Sequence, residues 1–465
     1  MAASHSAVLG ESISGNVQQI EFTAGRTRAT RQMQSESESR RSLGLLTATS
    51  VVIGNMVGSG VFLLPAVLAV YGIYSLWGWL FSTAGALVLA WVFSDLSRRS
   101  PRAGGPYAYS REAFGEFAGF LIAWMYWISI AALIAAIAVA FASYLVPFVP
   151  LLSSDRGAGA AAALAATWLL IGVNLWGVRT AGRLQFITVV LKISPLLVLA
   201  VFGAFYFKPH LLLAGAPSAT PLSAINTCAA LTMWAFVGLE SATVPADHVK
   251  DPAKTIPRAT LLGTIIAAVF YIACTTAVMG VIPAAALARS SAPFADAAKA
   301  LWGGWAGDLI AAAASISCFG ALNGWVLMSG QFAQAIARDR LFPQQFAHEI
   351  RRGTPAFALV FSGAIATGLI LMDYTHGLVS MFNVIILIAT FFTLVPYMIC
   401  SMAEVLFSRG HPRRVRNVVL ASIAFAFALW AAAGTGKDSL YWGTLVMLGG
   451  LPVYAWQKWS HDQSA

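Results

Sequence analysis

Long apolar runs alternate with short charged segments along almost the whole chain. The runs lie at about 43–70, 74–97, 115–148, 160–178, 185–207, 222–246, 256–283, 306–337, 355–372, 377–403, 417–435 and 438–457. Each is long enough to cross a bilayer as a helix, so the pattern predicts about twelve transmembrane helices. Residues 1–42 are different: rich in Ser, Glu, Gln and Arg, and without the apolar stretch of a signal peptide. They are expected to be a disordered cytoplasmic tail.

Two of the runs are interrupted by glycine in corresponding places. The first reads Ile53-Gly-Asn-Met-Val-Gly-Ser-Gly-Val-Phe-Leu-Leu-Pro-Ala66, the second Trp234-Ala-Phe-Val-Gly-Leu-Glu-Ser-Ala-Thr-Val-Pro-Ala246. Gly58 precedes Pro65 by seven positions, and Gly238 precedes Pro245 by the same number. Unwound backbone is tolerated at membrane depth only where it lines a cavity or is buried in protein. Broken helices at matching places in two halves of a chain point to the binding site of a transporter. Each half then holds five spans beginning with a broken one, 43–207 and 208–403, and an odd number of spans inverts the second copy. Residues 404–465 supply two further spans and a tail.

The breaks carry the candidate chemistry. At the first, Gly58, Ser59 and Gly60 open a half-helix whose N–H groups favour an anion such as a carboxylate. Asn55 and Ser59 add side-chain hydrogen bonds, and Met56 flanks them. Glycines of this kind also serve close helix packing, the alternative reading. At the second break, the carbonyls of Trp234, Ala235 and Val237 end a half-helix and favour a cation such as an α-ammonium group. Together the two ends describe a clamp for an amino acid. Glu240 is the carboxylate nearest the centre of any span, so it is a candidate for proton coupling, cation binding or gating; the alternative is a polar group satisfied by unwound backbone. Lys192 is the base within a span, a candidate to stand where other carriers bind sodium and to release a proton. Its alternative is snorkelling to an interface. Tyr126, Trp234 and Trp325 lie within apolar spans, where an aromatic face can cover a substrate; Trp127 is read as packing.

Composition narrows the class. Of 465 residues, 58% are hydrophobic and 10% charged, far below the charge of a soluble domain. The net charge of +10 is a topology signal rather than a nucleic-acid footprint: with the spans alternating in direction, twenty-three Lys and Arg fall on one side and five on the other. The positive-inside rule then places both termini in the cytoplasm. Cys228, Cys274, Cys318 and Cys400 sit far apart in apolar spans and read as small buried hydrophobes. No metal spacing and no Gly-x-x-x-x-Gly-Lys-Ser/Thr motif occurs, so neither a metal, a cofactor nor ATP coupling is expected. A membrane enzyme, a channel and a sensor are the competing classes.

Gly54-Asn-x-x-Gly-Ser-Gly-Val-Phe-Leu-Leu-Pro65, Gly104-Gly-x-Tyr-Ala-Tyr109, Trp234-x-Phe-x-Gly-x-Glu-Ser241 and Thr393-Leu-Val-Pro-Tyr397, in that order, resemble the amino acid–polyamine–organocation superfamily. The nearest likeness is to the basic amino acid/polyamine antiporters, the arginine/agmatine type above all, from about Leu43 to Trp456. The resemblance implies an all-α, LeuT-like fold of five plus five inverted helices and two more. It also implies sodium-independent alternating access, an inner-membrane location and a homodimer. It gives Ser59 and Gly60 the substrate carboxylate, Trp234 the substrate side chain, Tyr126 and Trp325 the gates, and Glu240 the linkage to protonation. The chain departs from the arginine/agmatine pattern at Ile130, Ile134, Ile137 and Ala389, which are apolar here. Lys192 instead resembles the fifth-span lysine of proton-linked permeases. A proton-coupled permease for less polar amino acids is therefore the alternative function.

Overall fold

The computed structural model describes residues 43–102, 104–176, 197–213, 220–244, 246, 249–350, 354–372 and 378–462. The tail 1–42 and Lys192 lie outside the described residues. The principal helices are α1 (Leu45–Met56), α2 (Ser59–Leu68), α3 (Tyr74–Arg99), α4 (Pro106–Phe114), α5 (Glu116–Leu145), α6 (Arg156–Leu175) and α7 (Leu197–Tyr206). They continue as α8 (Pro221–Met233), α9 (Pro252–Met279), α10 (Pro293–Trp302), α11 (Gly304–Arg338), α12 (Ala356–Met372), α13 (Leu378–Phe407), α14 (Arg414–Gly434) and α15 (Lys437–Asp462). Among the described residues, seven helices are long and apolar enough to span a membrane, and shorter apolar helices accompany them. Every one of the twelve expected runs meets a helix or a broken pair; of the fifth, only α7 is described.

Both glycine breaks are real. α1 stops at Met56, Val57 and Gly58 leave helical geometry, and α2 restarts at Ser59. α8 stops at Met233, one tight turn covers Trp234–Phe236, Val237 is extended, and Gly238 takes φ +104. A side chain at that φ would be strained, so glycine is required there.

The two halves also share a joint that the apolar pattern does not reveal. α4 opens on Pro106, ends at Gly115 with φ +89, and passes straight into α5. α10 opens on Pro293, ends at Gly303 with φ +90, and passes straight into α11. Proline supplies the preset φ of a first helical turn and glycine the positive φ of the exit. With five spans between them, the two elbows lie at opposite ends of the bundle. The repeat is thus written in backbone conformation as well as in the breaks.

The polar segment Pro101–Tyr109 is too short to span a membrane, and its sequence predicts a loop on the cytoplasmic surface with tight glycine turns. The structure corrects this: Gly104–Tyr107 and Tyr109 are buried. The Gly104 N–H donates to the Val244 carbonyl at 3.1 Å, and a side chain on Gly105 would meet Thr243 Oγ1 at 2.5 Å. These glycines serve close approach to the end of the second break as well as a turn.

α5 is the most enclosed span, packed by α6, α11, α12, α13 and α15. α3 runs between α8, α9 and α14. Lipid is as apolar as these side chains, so tight contact at small residues, not apolar burial, holds such helices together. Gly78 of α3 is one such contact: a Cβ there would lie 2.4 Å from Cys228 Cβ and 2.9 Å from its backbone. Gly172, by contrast, has open space around it. Gly78→Ala should therefore lower the thermal midpoint of the purified protein, at a cost of about 1–3 kcal/mol, while Gly172→Ala should leave it near that of the parent. Equal midpoints for the two variants would remove the packing role of Gly78.

Candidate functional site

The two breaks abut one another. Asn55 Nδ2, in the last turn of α1, donates to Ser241 Oγ beyond the second break at 3.0 Å, and lies 3.7 Å from Met328 Sδ of α11. Trp325 of α11 closes the other side: its indole N–H donates to the Asn55 carbonyl at 3.3 Å. A Cβ on Gly238 would lie 3.2 Å from that indole and 3.5 Å from Asn55 Cβ. α2 packs against α8 and the Trp234–Phe236 turn. The end of α1 and the unwound segment after α8 are therefore in direct contact, with Trp325 against both.

Glu240 sits at the next turn, with no exposed surface. Its two carboxylate oxygens accept separately from the hydroxyls of Tyr126 on α5 and Tyr397 on α13. The backbone N–H groups of Gly238 and Glu240 are also directed at it. Unwinding frees those amides, and the carboxylate takes them up; a buried acid without such donors would be strongly unfavourable. Tyr126 packs edge-on against Phe332 of α11 with centroids 5.0 Å apart. Tyr397 does the same with Phe93 of α3 at 5.1 Å. One side chain thus ties the second break to two helices outside it.

The expected site residues divide accordingly. Asn55, Trp325, Tyr126 and Glu240 converge on the breaks. Met56, Ala235 and Val237 are buried beside them. Trp234 is buried and meets Phe382 of α13 edge-on, centroids 6.3 Å apart. Ser59 and Gly60 open α2 as expected, and their side-chain positions lie outside the described part. The carbonyl of Trp234 is a correction: it accepts from the Val237 N–H at 3.1 Å, and the Phe236 carbonyl accepts from Leu239 at 3.2 Å. The tight turn after α8 satisfies these oxygens locally, leaving the clamp's negative end less bare than a simple helix terminus. Asn55 likewise spends its amide on joining the breaks.

Sequence reasoning assigned no role to Ser241, Met328 or Tyr397. Ser241 and Tyr397 belong to motifs quoted above, but their partners lie more than 150 positions away along the chain. A latch at the basic end was also missed. Tyr107 of α4 donates to Asp339 after α11 at 2.7 Å, and Arg111 pairs with Asp339 at 2.9 Å. Burial and the Asp339 carboxylate push the Tyr107 phenol above its usual range, so it remains a donor. Among the described residues no group of three His, Cys, Asp or Glu has the makings of a metal site.

Paired broken helices inside an inverted five-helix repeat define a multi-pass membrane carrier of the LeuT-like class. The fold of a manganese transporter from Eremococcus coleocola, solved with an aromatic bis-isothiourea compound, superposes with a TM-score of 0.56 over 90% of this chain and 96% of that one, at 14% identity. Residues 43–447 match the family model "Amino acid permease", and the chain belongs to that family. It is 34% identical over 427 residues to the cadaverine/lysine antiporter of Escherichia coli strain K12, covering 90% of this chain and 95% of that one. It is 31% identical over 427 residues to the putrescine transporter PotE of the same strain, covering 90% and 97%.

The contact between the breaks is testable by itself. Asn55→Ala and Ser241→Ala should be non-additive, with a coupling of roughly 0.5–1.5 kcal/mol in detergent unfolding titrations of the single and double variants. Strict additivity would mean that the two breaks do not support each other.

Proposed function

We propose that this chain is a sodium-independent antiporter of an inner membrane, exchanging a basic amino acid for a polyamine, with both termini cytoplasmic. The observation that carries the reading is the apposition of the two breaks around Asn55, Trp325 and Gly238, with Glu240 one turn away. The α2 amides receive the substrate carboxylate. The unwound segment after α8 and the charge of Glu240 favour its ammonium groups. Trp234 covers the side chain, and Tyr126 and Trp325 gate access. The homodimer implied by the family resemblance is part of the same reading.

The substrate's carbon chain has a matching surface. Tyr126, Ile130, Ile134, Ile137 and Tyr144 share one face of α5 at helical spacing. Its two tyrosines reach Glu240 at one end and the Phe62 carbonyl of α2 at the other, the latter at 2.8 Å. An isoleucine stripe between two polar ends suits the methylenes of lysine, cadaverine or putrescine better than the planar guanidinium of arginine or agmatine. The named substrates of the two relatives fit this preference.

Glu240 offers a coupling mechanism. As a carboxylate it accepts from both tyrosines. Protonation turns one of its oxygens into a donor, so a tyrosine hydroxyl must reorient and its tether to the unwound segment weakens. Substrate release and protonation then act on the same joint. The isoleucine face also favours the second reading, a proton-coupled permease for less polar amino acids, and the Lys192 position supports it through the resemblance.

Counterflow separates the two. Proteoliposomes loaded with lysine, cadaverine or putrescine should take up labelled lysine rapidly, and empty ones should not. Uptake into empty vesicles driven by an imposed proton gradient, with leucine competing, would favour the permease. Glu240→Gln should flatten the dependence of exchange on pH across the acid-to-neutral range; a parental profile would remove Glu240 from coupling. Trp234→Leu should weaken lysine or cadaverine binding by roughly tenfold with the thermal midpoint retained, and unchanged affinity by calorimetry would take Trp234 out of the site.

A further inference from the structure

A cavity of about 600 Å³ opens where α3, α13 and α14 meet at the basic end of the bundle. Arg98, Arg99, Arg409, Arg413, Arg416 and His411 line it, with Phe407 among them and Asp95 as the sole acid. That acid is already engaged. Asp95 pairs with Arg99 and with Arg98, and accepts from Asn417 Nδ2 at 3.2 Å. Arg99 turns its remaining charge on buried Glu404, 3.2 Å away. Beneath the cavity, therefore, is a closed net of opposite charges. Above it, among the described residues, Arg409, Arg413 and Arg416 form no ion pair.

One of these arginines, Arg416, is held in place, and the loop before it is fixed. The Arg416 guanidinium lies over the Trp91 ring at 5.4 Å and donates to Asn417 Oδ1 at 3.4 Å. His411 Nδ1 accepts from the Arg413 N–H at 3.1 Å, fixing the loop that enters α14. α14 itself starts at Arg414 with no side chain capping its first turn, adding the positive end of a 21-residue helix. Several guanidinium groups and an uncapped helix start around an open pocket suit a phosphate.

The surroundings name its carrier. Val415, Val419 and Ile423 recur every four residues and run down one face of α14 from the mouth of the cavity, exposed by 79%, 51% and 48%. Met402 on neighbouring α13 is 43% exposed. A phosphate held at helix ends above an open apolar stripe has the geometry of a lipid headgroup above its acyl chains. We propose that this cavity binds the phosphate of an anionic phospholipid, and that the α14 stripe receives its chains.

The test uses the full chain in detergent. Dioleoylphosphatidylglycerol should raise its thermal midpoint, and dioleoylphosphatidylcholine should not. The triple variant Arg409→Ala, Arg413→Ala, Arg416→Ala should weaken the phosphatidylglycerol effect about a hundredfold in concentration, taking each charge near the surface at its usual strength. Lys250→Ala with Lys254→Ala, which removes two cations elsewhere, should respond as the parent does. If the triple variant does not fold, Arg413→Gln and Arg416→Gln singly should each weaken the response roughly fivefold. A parental response in the arginine variants overturns the proposal, as does an equal loss in the lysine variant. Inorganic phosphate is the separate arm: if it alone reproduces the full stabilisation, the site takes a free anion and the lipid assignment falls.

Discussion

A carboxylate with no access to water must be met by donors, and at Glu240 this requirement organises the centre of the protein. A continuous helix would have left its own amides engaged and offered the acid nothing. Because the chain unwinds at Gly238, backbone N–H groups become available, and two tyrosines from separate helices complete the shell. Break and acid thus stabilise each other. The unwound segment has a reason to exist beyond any substrate, and the buried acid has donors to meet it. Function is added to an arrangement that the membrane's low polarity already demands.

The same economy links the first break to the second. Trp325 occupies the Asn55 carbonyl, which the end of α1 would otherwise leave bare, and the Asn55 side chain bonds the Ser241 hydroxyl across the breaks. All the described side chains at this centre are nearly or wholly buried, so the conformation is closed to solvent. Passage of a solute then needs the contacts among α1, α11 and the second break to part on one side at a time. At the basic side the Tyr107–Arg111–Asp339 contacts join α4 to the end of α11.

Much of this was legible in the linear pattern. Apolar length located the spans because the bilayer's thickness is a fixed ruler, and the glycine breaks stood out against it. Asn55, Tyr126, Trp325 and Glu240 were each singled out as candidates from the sequence; that they meet is a finding of the structure. What escaped notice depends on tertiary pairing. Ser241 and Tyr397 acquire meaning only through partners far along the chain. α10 is too short and too mixed to register on an apolar scale, although Pro293 and Gly303 mark its ends. The Trp234 carbonyl was expected to be bare because a helix terminus was assumed, whereas a tight turn follows α8 and absorbs it. The Asp95–Arg99–Glu404 net combines groups at two helix ends, those of α3 and α13, that read singly as ordinary boundary charges.

The elbows at Gly115 and Gly303 carry one more implication. A carrier assembled from two upside-down copies of one joint has, at that joint, no built-in sense of inside and outside: Gly115 and Gly303 take the same turn, φ +89 and +90, in the two copies. Direction of net flow must then originate in the solutions on either side, and a reversal of their gradients should run the cycle backwards without altering a single part.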